Sequence, residues 1–195
     1  MKKIIALFLL ILFQFSIVSA DSSKDINRII IGNKDAKISI IAYESLTCSH
    51  CANFHINVLP DLKKDFIDKG LAKIEFRHFP LDIAAFNASK IAQCKNDGNS
   101  DILNTLYLNQ PKWIKGKTVN EVNENLKKFL ESEGITIDFN KCTSNKNIED
   151  FVLNDRIEGA KKFKVNATPT IIINDKKFEK SLNYKNLKKT LEKLI

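Results

Sequence analysis

Two cysteines separated by two residues are the strongest chemical feature of the sequence. Cys48 and Cys51 follow an apolar, β-branched run and precede a helical pattern, which places them where a strand ends and a helix begins. At a helix N-terminus the unpaired backbone N–H groups and the helix dipole favour an anion, so the pKa of Cys48 should fall. Cys51 lies one turn further in, close enough for a reversible disulfide. His50 lies between them, and its protonated imidazole would stabilise the Cys48 thiolate further.

Two other uses of the cysteine pair stay open from residue types alone. A zinc site needs four ligands, and the remaining candidate ligands are scattered along the chain: Cys94, Cys142, His55 and His78. We predict that His55 lies on the helix surface and that His78 packs within a strand, and hence that there is no metal site. The second alternative is a structural disulfide, for which a bridge across a helix start has poor geometry.

A second feature is Thr168-Pro169, which opens a β-branched run over 170–173. A proline at the start of a strand is compatible with a cis peptide bond. Held against the cysteine pair, such a bond would leave the backbone of residue 168 free to pair with an extended substrate. We also expect the Thr168 hydroxyl to approach the Cys48 sulfur and to donate a hydrogen bond to its thiolate.

The elements that must position these residues form an α/β pattern with a helical interruption. The run 37–43 is apolar on both faces, which indicates a central strand, and a helix and the alternating strand 73–79 follow it. A strand–helix–strand order requires a parallel pair with a right-handed crossover. Residues 82–163 show only helical spacing, and the strand pattern then resumes. Further strands are predicted at 29–31, 170–173 and 176–178. The helix after the first cysteine pair should kink at Pro60, and a capping box of Thr118 and Glu121 should start a later helix. An amphipathic helix that carries Leu187 and Leu191 should close the chain.

The first twenty residues have the pattern of an export signal. Lys2 and Lys3 precede an apolar run, and Val18-Ser19-Ala20 places small residues at a cleavage site. The run is shorter than the roughly 20 residues that a membrane-spanning helix needs. We therefore expect cleavage after Ala20, with all four cysteines in the exported part of the chain, where an even count suggests disulfides.

Composition excludes several classes of protein. The chain has 195 residues, of which 44% are hydrophobic and 28% charged, which is typical of a globular domain and excludes disordered, collagen-like and multi-span membrane proteins. The formal net charge is +8, but the lysines are scattered among acids and arginine is scarce. We therefore predict no nucleic-acid partner.

In its motifs and their order the chain resembles the DsbA family, especially the alpha-proteobacterial branch. The resemblance is carried by Ile31-Gly32-Asn33 with Ala36, by Tyr43, Ser45 and the run 47–55, and by the run 165–170. It implies a thioredoxin fold with an inserted all-helical domain. The implied domains are residues 21–81 together with 164–195 for the thioredoxin fold, and 82–163 for the helical insertion.

The resemblance also implies a periplasmic thiol–disulfide oxidoreductase that introduces disulfides into unfolded or reduced exported proteins. Cys48 would be the nucleophile and Cys51 its partner, with His50 as thiolate stabiliser. Pro169 would be the cis-proline, preceded by Thr168. The implied reoxidant is a membrane, quinone-linked protein that resembles DsbB, and no cofactor is implied.

Two alternative functions use the same residues. The closer one is a disulfide isomerase or reductase. Dimeric isomerases carry a separate dimerisation domain, for which residues 21–28 are too few, and we therefore expect a monomer and an oxidase. The other alternative is a metal-binding carrier that uses Cys48, Cys51 and a histidine, against which the lack of a Met-rich or His-rich tract argues.

The sequence departs from the family pattern at three places. Ser49-His50 separates the cysteines where the best-known oxidants have Pro-His, and Thr168 precedes the proline where strong oxidants often have Val. Ala42 stands where many relatives carry a buried acid. Glu44 shares a strand face with Ala42 and is a candidate for the proton-transfer role of that acid.

A second cysteine pair, which some members of the resembling branch carry, falls in the helical insertion. The resemblance implies a structural disulfide between Cys94 and Cys142. Such a bridge would close a loop of about fifty residues and stabilise the fold by roughly 4 kcal/mol in the chain-entropy model. Two unrelated buried thiols are the alternative.

Overall fold

The structure, a computed structural model, describes residues 26–195, so the predicted export signal lies outside the described residues. Its centre is a five-stranded sheet with the order β1-β3-β2-β4-β5. β2 pairs in parallel with β3 and antiparallel with β4, while β1 and β5 pair antiparallel at the two edges. The predicted parallel pair and the predicted central strand are therefore both present. The strands are β1 (Ile29–Gly32), β2 (Ile38–Glu44), β3 (Ala72–His78), β4 (Thr170–Ile173) and β5 (Lys176–Lys177).

Strand β2 is central because its side chains are apolar on both faces. Ile38 and Ile40 belong to the main core, and Tyr43 belongs to a second apolar cluster with Phe79 and Phe163. Apolar side chains thus cover both faces of the sheet at β2, as a central strand requires. The buried carboxyl end of β2 leads directly into the cysteine pair.

The helices after β2 follow the predicted kink. α1 (Ser49–Asn57) ends just before α2 (Leu59–Leu62), and Pro60 lies in the first turn of α2, where its missing N–H is not needed. A π-helical turn over Lys63–Ile67 continues α2 toward β3. The closing helix is α9 (Tyr184–Leu191), whose Leu187 and Leu191 are fully buried.

Six helices lie between β3 and β4, and the described chain contains no strand between His78 and Thr170. The predicted capping box of Thr118 and Glu121 is formed at the start of the amphipathic helix over Val119–Ser132. The core is continuous from the sheet into these helices, so the proposed domain boundaries at 82 and 163 stay a prediction. The helices are α3 (Ile83–Gln93), α4 (Asp101–Leu108), α5 (Gln110–Trp113), α6 (Val119–Ser132), α7 (Phe139–Ser144) and α8 (Lys146–Lys162).

A disulfide joins Cys94, at the end of α3, to Cys142 in α7, with a Cα–Cα distance of 5.4 Å. It links two helices of the insertion to each other. None of the helices over residues 26–195 combines the length and apolarity needed to cross a membrane.

Helix α8 comes close to the sheet at Gly159, which lies against the ring of Tyr43. A Cβ atom added at residue 159 would be 2.7 Å from Tyr43 Cε1 and 2.9 Å from Tyr43 Cδ1. The Tyr43 side chain is fully buried, so the ring cannot move into solvent. The absence of a side chain at residue 159 therefore sets the distance between α8 and β2.

We expect Gly159→Ala to destabilise the fold. Overpacking against a buried ring costs up to about 3 kcal/mol, whereas alanine gains only about 1 kcal/mol of helix propensity over glycine, which leaves a net loss of roughly 2 kcal/mol. Urea unfolding measures this change, with Asn154→Ala on the exposed face of α8 as the matched control. An alanine at residue 159 that left the stability equal to that of the control would contradict the close packing of α8 on Tyr43.

Candidate active site

The two cysteines lie at the first turn of α1 in very different surroundings. Cys48 is the N-cap residue, and its carbonyl oxygen accepts hydrogen bonds from the N–H groups of Cys51 (3.1 Å) and Ala52 (3.2 Å). Cys48 is partly exposed, whereas Cys51 is fully buried, and both are free thiols in this structure. One sulfur is thus available to a substrate while the other is enclosed by protein.

The surroundings push the pKa values of the two thiols apart. The pKa of Cys48 is lowered to about 5, chiefly because the Cys51 thiol donates a hydrogen bond to its sulfur, with further help from the Thr168 side chain and from the N–H groups of Cys51 and His50. Burial raises the pKa of Cys51 far above its ordinary value, and the neighbouring Cys48 and Glu44 add to the effect. At neutral pH the site therefore holds a Cys48 thiolate beside a Cys51 thiol.

His50 contributes to this arrangement in a different way from the one that the sequence suggests. We expected its imidazole to stabilise the thiolate. The His50 side chain is exposed, and the group of His50 that lowers the pKa of Cys48 is its backbone N–H at the helix start. A helix N-terminus offers such N–H groups whatever the side chain is.

The turn that precedes β4 lies against Cys48. The Thr168–Pro169 peptide bond is cis, and Cys48 Sγ lies 3.3 Å from the carbonyl oxygen of Thr168, to which it donates only when it is protonated. The group of residue 168 that contacts the Cys48 sulfur is therefore its backbone carbonyl, and not the side-chain hydroxyl for which the contact was predicted. The Thr168 hydroxyl is buried and has no partner of hydrogen-bond geometry, yet it lies near enough to the sulfur to help lower the pKa of Cys48.

The prediction that His55 lies on the helix surface is wrong. Only 3% of His55 is exposed, because α4 packs on this face of α1 and the Tyr107 ring stacks on the imidazole at a centroid distance of 4.1 Å. His55 Nε2 lies 2.8 Å from Glu44 Oε2, and burial raises the pKa of this carboxyl group against the opposing effect of His55. A buried acid–imidazole pair thus lies beside the cysteines.

The second histidine considered as a ligand, His78, is buried at the end of β3 as predicted, and burial lowers its pKa to about 4. Its ring lies 3.3 Å from Gln93 Oε1. Within residues 26–195, no group of three or more His, Cys, Asp or Glu side chains is arranged to hold a metal ion.

Two tethers from the helical insertion, which the sequence analysis missed, hold the loop that carries Cys48. The buried amide of Gln110 donates to the carbonyl oxygens of Leu46 (2.7 Å) and Cys48 (3.0 Å). The Thr47 hydroxyl donates to Asp82 at 2.7 Å, and Asp82 in turn caps α3. Gln110 is 62 residues from Cys48 in sequence, and no local pattern indicates this contact.

Comparison with known proteins agrees with this geometry. A family model described as thioredoxin matches residues 24–193. The chain belongs to the thioredoxin family. It is 32% identical over 153 residues to a Rickettsia bellii protein that carries the provisional name protein-disulfide oxidoreductase, a match over 77% of this chain and 58% of that protein. It is also 26% identical to disulfide bond formation protein D of Bacillus subtilis, over 84% of this chain and 75% of that protein.

Within the thioredoxin family the chain is DsbA-like. The crystal structure of alpha-DsbA1 from Wolbachia pipientis superposes with a TM-score of 0.76 and 29% identity, over 86% of this chain and 90% of that one. A match over so much of the chain has to include the helices between β3 and β4. The predicted fold, a thioredoxin fold with an inserted helical domain, is therefore confirmed. The chain spans less than two thirds of the length of the Rickettsia relative.

Several neighbouring groups lower the pKa of Cys48, and two substitutions test which group has the largest effect on that pKa. We expect Cys51→Ala to raise the pKa of Cys48, because the largest stabilising contact on the thiolate is the hydrogen bond from Cys51. We expect His50→Ala to leave that pKa almost unchanged, because alanine keeps the backbone N–H. Ultraviolet thiolate absorbance of the reduced proteins, titrated with pH, measures both. A larger rise in His50→Ala than in Cys51→Ala would mean that the imidazole, and not the Cys51 thiol, stabilises the thiolate.

Proposed function

We propose that this chain catalyses thiol–disulfide exchange and acts as an oxidase, introducing disulfides into exported proteins that are unfolded or reduced. The observation that carries the proposal is the polarity of the cysteine pair. The accessible sulfur of Cys48 has a low pKa and faces the backbone of Thr168, while Cys51 is buried and protonated. We assign Cys48, Cys51, His50, Thr168 and Pro169 to the site, with His50 acting through its backbone.

The proposed reaction begins with the oxidised protein, in which Cys48 and Cys51 form a disulfide. A substrate thiolate attacks Cys48 Sγ, a mixed disulfide forms, and the Cys51 sulfur leaves with the electron pair of the broken bond and takes up one proton. A second substrate thiolate then attacks the substrate sulfur of the mixed disulfide and releases Cys48 as a thiolate. The substrate loses two electrons, and the cysteine pair gains them.

The low pKa of Cys48 supports the oxidising direction. A thiol with a low pKa is a good leaving group, so the second step is fast. Contacts that stabilise the Cys48 thiolate also stabilise the reduced protein relative to the disulfide form, which makes the protein a stronger oxidant. The hydrogen bond from Cys51 exists only in the reduced protein, because both sulfurs are joined in the oxidised one.

The surface next to Cys48 supports a polypeptide substrate. A small pocket lies between α1 and the turn before β4, and its wall combines apolar and polar residues of α1 with residues 168 and 169. An extended segment that lies there would bring its cysteine to Cys48. The pocket is lined by His50, Asn53, Phe54, Val58, Thr168, Pro169 and Leu182.

The family and the sequence support a proposal for the setting of the reaction. We propose that the chain is exported to the periplasm after cleavage following Ala20, acts as a monomer, and is reoxidised by a membrane, quinone-linked protein that resembles DsbB. The name of the Bacillus relative, disulfide bond formation protein D, supports the oxidising direction for this chain.

Thr168 precedes Pro169, and disulfide isomerases carry threonine at this position. This residue favours a second candidate function, a disulfide isomerase or reductase. The two candidates differ in the redox potential of the Cys48–Cys51 couple. Equilibration with glutathione buffers, followed by alkylation and mass analysis, measures that potential. We expect a value more positive than about −180 mV, toward the strongly oxidising end of the family. A value near the roughly −270 mV of thioredoxin would contradict the oxidase and favour the reductase.

Two controls accompany this measurement. Cys51→Ala cannot form the disulfide and should show only a mixed disulfide with glutathione. Metal analysis of the reduced protein tests the carrier alternative, and a stoichiometric metal bound by the cysteines would favour that alternative over the oxidase.

A further inference from the structure

The positive charge of the chain is concentrated toward the end of the sequence. Residues 161–195 contain ten lysines and only three acidic residues. Before this segment the lysines are scattered among acids, and residues 21–160 contain nineteen lysines and arginines against twenty acidic residues. A surface that carries one sign of charge attracts a partner of the opposite sign. The positions of these lysines in the fold therefore decide whether they can act together.

Two elements bring lysines of this segment onto one surface. Strand β5 pairs with β4 at an edge of the sheet, and the chain then continues to α9. Lys176, Lys177 and Lys180 line a groove beside this edge, and Thr190 and Leu194 line the same groove from the side of α9. The Lys180 ammonium group donates a hydrogen bond to Thr190 Oγ1 at 3.4 Å, which joins the two sides.

Helix α9 and the turn after it add a stripe of lysines beside this groove. Lys185, Lys189 and Lys193 are exposed and four residues apart, and residues four apart share a helix face. Lys189 and Lys193 directly precede the groove residues Thr190 and Leu194, so the stripe lies next to the groove. We call these lysines together the basic face: Lys176, Lys177, Lys180, Lys185, Lys189 and Lys193.

The charge of the basic face is largely unopposed within the protein. None of its six lysines forms an ion pair within residues 26–195, whereas the acidic residue next to it in sequence, Asp175, pairs with Lys162. Two further acids, the exposed Glu179 and Glu192, lie nearby. Like charges four residues apart destabilise a helix, so the stripe on α9 is a cost that an anionic partner would remove.

The residue types of the basic face favour an anionic lipid surface over a nucleic acid. All of its cations are lysines, which act as point charges, whereas arginine binds single phosphates through paired hydrogen bonds. Bases also need aromatic side chains to stack on, and Phe178, the aromatic residue of the groove, is half-buried. The apolar side chains of Leu194 and Ile195 are exposed beside the stripe. Lysines next to exposed apolar side chains are typical of surfaces that bind the headgroup region of a membrane.

We propose that the basic face docks this protein on an anionic membrane surface, with its lysines against lipid headgroups and Leu194 and Ile195 in the interface. The segment between β5 and α9 connects this face to the redox site, because Lys180 lines the groove and Leu182 lines the pocket beside Cys48. The docked protein therefore holds that pocket next to the membrane. Docking uses no thiol chemistry and does not depend on the direction of exchange proposed above.

Vesicle co-sedimentation tests the proposal on the full chain as the cell processes it. The probe is a vesicle of equal parts phosphatidylglycerol and phosphatidylcholine, and vesicles of phosphatidylcholine alone are the neutral reference. We expect the wild-type protein to sediment with the anionic vesicles at low salt and to bind the neutral vesicles far more weakly. Rising salt should release it, because salt screens the charges of an exposed surface.

Two triple variants separate the basic face from net charge. The test variant replaces the stripe on α9: Lys185→Gln, Lys189→Gln and Lys193→Gln. The matched control replaces three exposed lysines of the helical insertion: Lys117→Gln, Lys127→Gln and Lys128→Gln. We expect the test variant to bind the anionic vesicles about a hundredfold more weakly, because each lysine near an anionic surface strengthens binding about fivefold. The control should bind as the wild type does, and all three proteins should exchange with glutathione alike.

Equal losses of binding in the two variants would show that net charge alone drives the binding and would overturn the basic face. Docking on lipid is also overturned if the wild-type protein binds anionic vesicles no better than neutral ones, or if it binds soluble polyglutamate in place of vesicles. Should the test variant not fold, Lys176→Gln with Lys180→Gln decides: weaker binding to anionic vesicles supports the basic face, and unchanged binding rejects it. These outcomes leave the proposed exchange reaction intact, because the glutathione equilibrium tests that reaction separately.

Discussion

The stabilisation of the Cys48 thiolate by the neighbouring Cys51 thiol is the interaction on which the site depends. It is the largest contribution to the low pKa of Cys48, and it requires that Cys51 keep its proton. Burial of Cys51 meets that requirement by raising its pKa. The fold therefore has two tasks at this point, which are to expose one sulfur and to enclose the other one turn along the same helix.

Each part of the fold serves one of these tasks. Strand β2 delivers the chain to the start of α1, and the turn before β4 places the Thr168 backbone against Cys48. The helical insertion covers the other face of α1 with Tyr107 and holds the loop before Cys48 through Gln110. As a result, the site has a partly exposed side at Cys48 and a fully buried side at Cys51.

Much of this arrangement could be predicted from the sequence, because the signals are local. The β-branched run of β2, the spacing of Cys48 and Cys51, the capping box at Thr118 and the Thr168-Pro169 pair each act over a few residues. Together with the resemblance to the DsbA family, they indicate the fold and the redox pair.

The contacts that could not be predicted depend on packing between distant segments. Gln110 reaches the Cys48 loop from the insertion, and nothing in its own neighbourhood marks it. His55 is a different case, since it lies four residues after Cys51 and so shares a helix face with a buried residue. The spacing from Cys51 therefore indicates that His55 is buried. The prediction of an exposed His55 is wrong because no local sequence pattern shows that the helical insertion packs on this face of α1.

The pH dependence of stability in the two redox forms tests the central claim most directly. The folded pKa of Cys48, about 5, lies below that of a free thiol. The thiolate therefore contributes stability that is full above the unfolded pKa and is lost as the pH falls through about 5. We expect the unfolding free energy of the reduced protein, minus that of the oxidised protein, to increase steadily from about pH 5 to about pH 8. A difference that stays constant or decreases over this range would contradict a stabilised Cys48 thiolate.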